Sequence, residues 1–414
     1  MNLFWLNKNE NVEITYDTLY SDLTKSGYNN NFIQYENPYD IFLNLIRNLL
    51  SEKQSIILDS DFSSEELLFL DIKKVDIEES QYFQSDKSNQ FNTIEDIIQF
   101  IIDKKNELGI EIFTSGTTGK PKKIFQSFKN IIREVKIAPH FSQNIWGFAY
   151  NPTHFAGLQV FFQAFLNKNP LIFVFTTKYE QIYESLVQYK VTHLSCTPTY
   201  MKLLLPNIKK PILTISSLTF GGEKFDKRIE SKIKNKFPNA VIKNVYASTE
   251  AGSLFRTDGE YFAIPEKYAP FVKIKENEIL IHKKLIGASS FLILDGDWYK
   301  TGDLIEYVDG EKFRFQSRKS EILNVGGYNV NPFEIEEIIK SVEGVKDASV
   351  FGKKNSITGN IMIANVIKMD NVDEGFLKTK IKSVINEKLQ DYKRPRIIKF
   401  VNYFELTRTG KQKK

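Results

Sequence analysis

One cysteine, Cys196, in 414 residues leaves no internal partner for a disulfide framework, and four histidines with that single thiol argue against a structural zinc site. A reducing compartment fits this usage. Long apolar runs are also missing: nothing approaches the roughly 20 residues that a bilayer span needs. The opening MNLFWLNKNENVEI has neither a basic n-region nor a long apolar core. These absences lead us to expect a soluble, cytoplasmic protein with no membrane span. Charge of one sign is not in excess. The 56 basic and 51 acidic residues are scattered, and the net +5 argues against nucleic acid or a membrane surface as partner. Repeats with a period of about 20 to 50 residues and low-complexity linkers are absent too. What is present is core material: 42% of residues are hydrophobic and 13% aromatic, in a chain long enough for two or three domains.

Patterning points to α/β architecture. Tyr39 to Leu50 has apolar residues at helical spacing, and a polar, acidic stretch runs from Glu78 to Asn92. Short apolar runs predict strands at Gly109 to Phe113, Leu171 to Phe175, Leu213 to Phe220 and Ala240 to Val245. Helical segments at Tyr179 to Tyr189 and Asp226 to Lys236 alternate with them. Further strands are expected at Glu276 to His282 and Lys312 to Gln316. From about Ser320 the pattern changes: Pro332 to Ser341 starts as a helix should, with proline early and glutamates in the first turns. Strands at Asp347 to Phe351, Ile361 to Ile367 and Ile397 to Val401, with a helix at Phe376 to Leu389, complete a small α+β unit. The expected division is therefore a large α/β domain of mixed sheets and helices over 1–318, a hinge at 319–320, and a small mobile α+β domain over 321–414.

The stretch FTSGTTGKPKK, Phe113 to Lys123, concentrates hydroxyls, glycine and lysine. It is not the Walker P-loop, because Gly116 and Gly119 are only two residues apart and Lys120 is followed by Pro121. A glycine-rich turn between two strands can still aim several N–H groups at one anion, with hydroxyls and a lysine as further donors. An exposed polar turn would account for the same composition, so the loop needs support from elsewhere in the chain.

That support comes from ordered motifs. Thr114 to Lys122 resembles the phosphate loop of the adenylate-forming (AMP-binding) enzyme superfamily, which includes acyl- and aryl-CoA synthetases. NPTHFAGL, with Pro152, His154 and Gly157, resembles its acyl-CoA ligase segment. FGGEKF (Phe220 to Phe225) and NVYASTEAG (Asn244 to Gly252) resemble its two adenine-pocket segments. WYKTGDL (Trp298 to Leu304) is similar to its Y-x-T-G-D signature, the stretch from Ser317 to its hinge and C-terminal domain, and LTRTGK to the segment with its C-terminal lysine. The resemblance runs from about residue 110 to the end, in the family's order.

It implies that a carboxylate attacks the α-phosphorus of ATP and expels pyrophosphate, so alignment and charge stabilisation carry the catalysis. On this resemblance Thr114, Ser115, Gly116, Thr117, Thr118, Gly119 and Lys120 cradle the departing phosphates. Thr249 meets the α-phosphate and Glu250 holds Mg²⁺. Gly222, Glu223, Asn244 and Tyr246 enclose adenine, Asp303 takes the ribose hydroxyls, and Arg318 binds nearby oxygens. His154, Phe155, Gly157, Phe220, Gly221, Ala247 and Ser248 line the acid's pocket, with His154 also counted as catalytic. Lys411 bridges the α-phosphate and the substrate carboxylate. Ser320 stands at the hinge, where the family has Asp or Lys, and Gly326 and Gly327 wall a tunnel for a pantetheine thiol. His193 and Cys196 read as structural.

Three departures accompany the resemblance: a phosphate loop unusually early in the chain, which shortens the subdomain 1–105, and Ala247 and Ser317 where glycine is usual. The stretch THFAG lacks the acid that amino-acid-activating domains use to hold an ammonium, which favours an apolar or aromatic acid. The expected acceptor is coenzyme A, with an acyl carrier protein as the alternative. A non-catalytic nucleotide- or acyl-binding protein of the same fold is the rival outside enzymology.

Overall fold

Short apolar runs pair into an eight-stranded sheet. Its spatial order is Gly252–Thr257, Val241–Ser248, Ser217–Gly221, His193–Cys196, Trp146–Phe148, Leu171–Phe173, Leu3–Asn7 and Val12–Thr15. The inner strands run parallel and an antiparallel strand closes each edge. Parallel strands covered on both faces must be apolar on both, and Phe148, Leu171, Ile172, Leu194, Cys196, Leu218 and Phe220 are all buried. The strand expected from Leu213 begins only at Ser217: the N–H of Ile212 is committed to Lys236 O, and Leu213 is 62% exposed.

The order of connections decides where a ligand fits. From Trp146–Phe148 the chain passes through the helix Phe155–Phe165 to Leu171–Phe173 on one side. It then passes through the helix Tyr179–Gln188 to His193–Cys196 on the other. The carboxyl end of Trp146–Phe148 is therefore a topological switch point, where open α/β sheets form their ligand crevice.

A second sheet holds Phe32–Ile33, Ser55–Ile57, Gly109–Ser115 and Pro121–Ser127, the first three parallel and the last folded back as a hairpin with Ser115 opposite Pro121. Aromatic rings fill the core shared by the two sheets: Phe42 stacks on Phe161 with centroids 3.9 Å apart, and Trp5 and Phe148 meet Phe42 edge-on. Phe42 belongs to the helix Pro38–Leu50, which Asn37 caps by accepting from Tyr39 N.

This computed structural model describes residues 2–25, 27–73, 76–77, 81–83, 91–115, 121–355, 359–408 and 412. The chain falls into two units: Met1–Val272 with Ile281–Tyr299 and Arg408–Lys411, and Lys273–Leu280 with Lys300–Thr407 and Gln412–Lys414. Both sheets above belong to the first. The second contains a sheet of Val345–Asn355, Gly359–Lys368 and Ile397–Phe400, covered by the helices Pro332–Lys340 and Glu374–Lys388. Asn331 caps the first of these helices and Asp373 the second, accepting from Phe333 N and Phe376 N. Ser320 is exposed in the 3₁₀ turn Lys319–Glu321 of this unit. The architecture is a large α/β part and a smaller α+β part. Among the described residues no helix is long and apolar enough to cross a membrane.

Candidate active site

The carboxyl ends of the parallel strands and the segments that follow them carry many of the expected site residues of the first unit. Asn151, Thr153 and His154 follow Trp146–Phe148, and His154 sits at the N-cap of the helix Phe155–Phe165. Gly157 in that helix packs directly on the loop: a methyl group there would lie 2.2 Å from Asn151 O. Phe155 is buried beside it.

Asp59, after the strand Ser55–Ile57 of the other sheet, closes this corner. Its carboxylate accepts from Asn151 Nδ2 at 3.0 Å and from Thr153 Oγ1, and lies 3.4 Å from His154 Nε2. Burial pushes the Asp59 carboxyl up, but the adjacent His154 ring and the hydrogen bonds from Thr153 and Asn151 together outweigh it and hold the group below its usual range. THFAG has no acid of its own; the fold supplies one, already engaged by its neighbours.

Arg408 extends the network. Its guanidinium donates to Asp61 Oδ2 at 2.9 Å and to Glu66 Oε1 and Oε2 at 2.7 and 3.1 Å, and lies over the Phe62 ring. Its carbonyl accepts from Asn151 Nδ2 at 3.3 Å. A cavity of about 350 Å³ opens here between Asp59, Asn151, Thr153, Phe175, Ile41 and Arg408. The Arg408 hydrogen bonds lower the Glu66 carboxyl to about 2, the capping bonds from Ser63 assisting against a smaller opposing effect of burial.

The Thr249–Glu250 turn, after the strand Val241–Ser248, is fastened from beneath. Gln126 Nε2 donates to Thr249 O at 2.6 Å and Glu250 O at 2.7 Å, and Gly287 N donates to Glu250 O at 2.8 Å. Arg133 holds the next stretch, donating to Ala251 O, to Ser253 O at 3.3 Å and to Leu285 O at 3.1 Å. Ser248 Oγ accepts from Ala251 N at 3.1 Å. Among the described residues the Glu250 carboxylate and the Thr249 hydroxyl form no side-chain hydrogen bond or ion pair. A half-buried carboxylate left over in this way is a donor suited to Mg²⁺, which takes one or two carboxylates and fills its remaining positions with water and substrate phosphate oxygens.

Asn244 and Tyr246 precede this turn on the same strand. Asn244 Nδ2 donates to Gly259 O, and the Tyr246 ring stacks on Phe255 at 5.4 Å. Ala247 is paired with Ser253. Gly221 ends the strand Ser217–Gly221, Gly222 and Glu223 follow it, and Glu223 Oε2 accepts from Thr199 N at 3.0 Å. Phe220 differs from its expected place as a pocket wall: it is fully buried against Phe225, beneath the strand, because side chains alternate faces. Thr114 lies near the end of Gly109–Ser115, half-buried, and that strand pairs with Pro121–Ser127. Gly116, Thr117, Thr118, Gly119 and Lys120 lie outside the described residues, as does Lys411.

The second unit carries Asp303, Arg318, Gly326 and Gly327. Asp303 is buried and accepts from Arg318 Nε at 2.7 Å, the two facing each other across paired strands. Beside them Glu278, also buried, accepts from Gly302 N at 2.8 Å and Lys319 Nζ at 2.6 Å. Gly326 and Gly327 form the turn of the hairpin Leu323–Val325 and Tyr328–Val330, with φ of 58° and 88°, the left-handed geometry that a two-residue hairpin turn demands. His193, half-buried, is pushed down to about 4 by desolvation and then by Lys243, and Cys196 is buried with its thiol pushed up. Both behave as structural residues.

Sequence reasoning passed over Asp59, Gln126, Arg133, Glu278 and Arg408. Only Gln126 left a local signal, a lone polar residue in step with Ile124 on the buried face of its strand. The others bind partners distant in sequence, apart from a contact of Arg133 with Asn130 Oδ1 at 3.4 Å.

The chain matches the AMP-binding enzyme family over residues 45–273 and the AMP-binding enzyme C-terminal domain over 334–411. It is 27% identical to 2-succinylbenzoate–CoA ligase of Listeria innocua over 331 residues, 72% of this chain and 67% of that protein. It is 25% identical to 4-coumarate–CoA ligase-like 9 of Arabidopsis thaliana over 342 residues, 72% of this chain and 60% of that one. Its fold superposes on o-succinylbenzoate CoA synthetase from Bacillus subtilis in complex with its acyl-adenylate intermediate, with TM-score 0.69 and 18% identity over 99% of this chain and 94% of that one. On ATP-bound MatB from Rhodopseudomonas palustris the TM-score is 0.73, with 17% identity over 99% and 93% of the two chains.

Two outcomes are expected from this geometry. Because the folded-state Glu66 carboxyl lies near 2 against an ordinary 4.5, its stabilisation is complete above the ordinary value and is lost as pH falls towards 2. Glu66→Gln should flatten that acid limb of a melting-temperature profile, and a limb identical to wild type would remove Glu66 as its source. Gly157→Ala forces a methyl group into a backbone oxygen and should destabilise the protein by about 1–3 kcal/mol in denaturant titrations.

Proposed function

Since the chain belongs to the AMP-binding enzyme family, we propose that it is an AMP-forming acid–thiol ligase. It activates a carboxylic acid with ATP to an acyl-adenylate, releasing pyrophosphate, and passes the acyl group to coenzyme A. The observation that carries this reading is the tie from the strand leaving the 114–120 loop, through Gln126, to the turn bearing Thr249 and Glu250. It joins the expected phosphate-binding segment to the expected metal-binding turn within one unit.

In this reading Glu250 holds Mg²⁺, which offsets phosphate charge when bound. Thr249 donates its hydroxyl to the α-phosphate, and Thr114 to Lys120 surround the phosphates that leave. Gly222, Glu223, Asn244 and Tyr246 bound the adenine site, Asp303 takes the ribose hydroxyls, and Arg318, already paired with that carboxylate, adds positive charge. His154, Phe155, Gly157, Gly221, Ala247 and Ser248 bound the acid, with Phe220 backing them from the core. Lys411 balances the charge that builds between carboxylate and α-phosphate. Ser320 is the hinge residue, and Gly326 and Gly327 let a pantetheine arm approach the backbone.

The likeness to 2-succinylbenzoate–CoA ligase and to 4-coumarate–CoA ligase-like 9 supports an aromatic or arylalkanoic acid. Phe155 supports it from the pocket side, and the Asp59 carboxylate is already engaged by Asn151 and Thr153 rather than left to hold an ammonium.

The deciding measurement is acid-dependent pyrophosphate and AMP formation across aromatic, arylalkanoic, aliphatic and amino acids, with and without coenzyme A. Thioester formation with coenzyme A is expected for an aromatic acid; adenylation without thioester would move the acceptor to a carrier protein. ADP as product, or no turnover across the panel while ATP still binds, would overturn the ligase reading. In the same assay Lys411→Ala should lose about a hundredfold or more of pyrophosphate release, the scale of removing one preorganised charge-stabilising donor.

A further inference from the structure

Gln126 is fully buried, a position where an amide is tolerated only if its hydrogen bonds are made. Its Oε1 accepts from Asn130 Nδ2 at 3.3 Å, which leaves Nε2 and its two hydrogens for Thr249 O at 2.6 Å and Glu250 O at 2.7 Å. Those carbonyls belong to the two peptide planes that flank the Glu250 Cα. Peptide planes are rigid, so holding both fixes φ and ψ at Glu250 and therefore the direction of its side chain. The surroundings are built for this contact. Gly287 crosses so closely that a methyl group there would lie 2.7 Å from Gln126 Nε2 and 2.3 Å from Phe125 O, and its N–H makes the second bond to Glu250 O. The same strand, Pro121–Ser127, begins where the 114–120 loop ends.

We propose that Gln126 is a positioning residue for metal-bound triphosphate: it aims the Glu250 carboxylate and holds it in register with the strand that leaves the phosphate loop. The proposal rests on the adenylation reading above, in which Glu250 is the Mg²⁺ ligand. Side chains that orient a metal ligand from behind typically affect metal affinity by about 10- to 100-fold.

The test measures equilibrium ATP binding across a Mg²⁺ titration, which requires no knowledge of the acid, for wild type, Gln126→Met and Gln126→Glu, with melting temperatures alongside. Gln126→Met keeps the shape and removes both donors. It should leave metal-free ATP binding within about twofold of wild type and raise the half-saturating Mg²⁺ on the order of tenfold. Gln126→Glu sets a carboxylate against two carbonyl oxygens at neutral pH and should show the same loss. The loss should be partly regained as the pH is lowered, because the protonated carboxyl donates one hydrogen bond. A side chain that merely stabilises the fold would lower the melting temperature and leave the Mg²⁺ requirement unchanged.

A folded Gln126→Met with the wild-type Mg²⁺ requirement overturns the proposal and leaves the adenylation reading standing. Absence of any Mg²⁺-dependent ATP binding in wild type overturns both. Should Gln126→Met not fold, the pH series of Gln126→Glu decides: no recovery on acidification counts against the role.

Discussion

Every loop at the carboxyl edge of these sheets faces the same demand: backbone N–H and C=O groups that have left the ladder must find partners before they are buried. An orphaned carbonyl costs about 1–3 kcal/mol, comparable to much of a domain's margin of stability. This chain meets the demand with a few buried and half-buried polar side chains. Gln126 and Arg133 take up the carbonyls of the turn from Thr249 to Ser253, and Asn151 spans Asp59 and Arg408. Those polar groups are satisfied within the protein, while among the described residues the Thr249 and Glu250 side chains form no side-chain hydrogen bond or ion pair.

Charge in the first unit follows the same economy. Asp59, Asp61 and Glu66 lie close together after the strand Ser55–Ile57, and each has donors facing it. Arg408 supplies most of them for Asp61 and Glu66, with its fork across both carboxylates and its flat face over Phe62. This binds a residue three positions before Lys411 to the sheet edge where His154 and Asn151 sit. In the second unit the corresponding pairs are Asp303 with Arg318 and Glu278 with Lys319. In each a buried carboxylate is held by a cation that remains largely exposed.

Much of the fold was legible because helices and strands write their period into the chain. Tyr39 to Leu50 has an apolar face, an asparagine cap and a proline start, and it forms the helix that carries Phe42 into the core. The ordered motifs from Thr114 to Lys411 were legible for another reason: nucleotide chemistry constrains several neighbouring residues at once. Phe220 shows the limit, since strand alternation turned it into the core while the glycines after it stayed at the edge.

By itself the sequence determined the α/β alternation, the smaller α+β part, the family to which the chain belongs and the segments able to meet a nucleotide, because each is encoded by residues close together in the chain. Only the tertiary structure decided which distant side chains stand behind those segments. Asp59 lies 95 positions before His154, Gln126 lies 124 before Glu250 and Arg408 lies 347 beyond Asp61, yet each pair meets within hydrogen-bond or ion-pair reach. No local pattern encodes such pairs. They exist because the fold brings segments from remote parts of the chain together at the sheet edges, and the polar groups gathered there must satisfy one another.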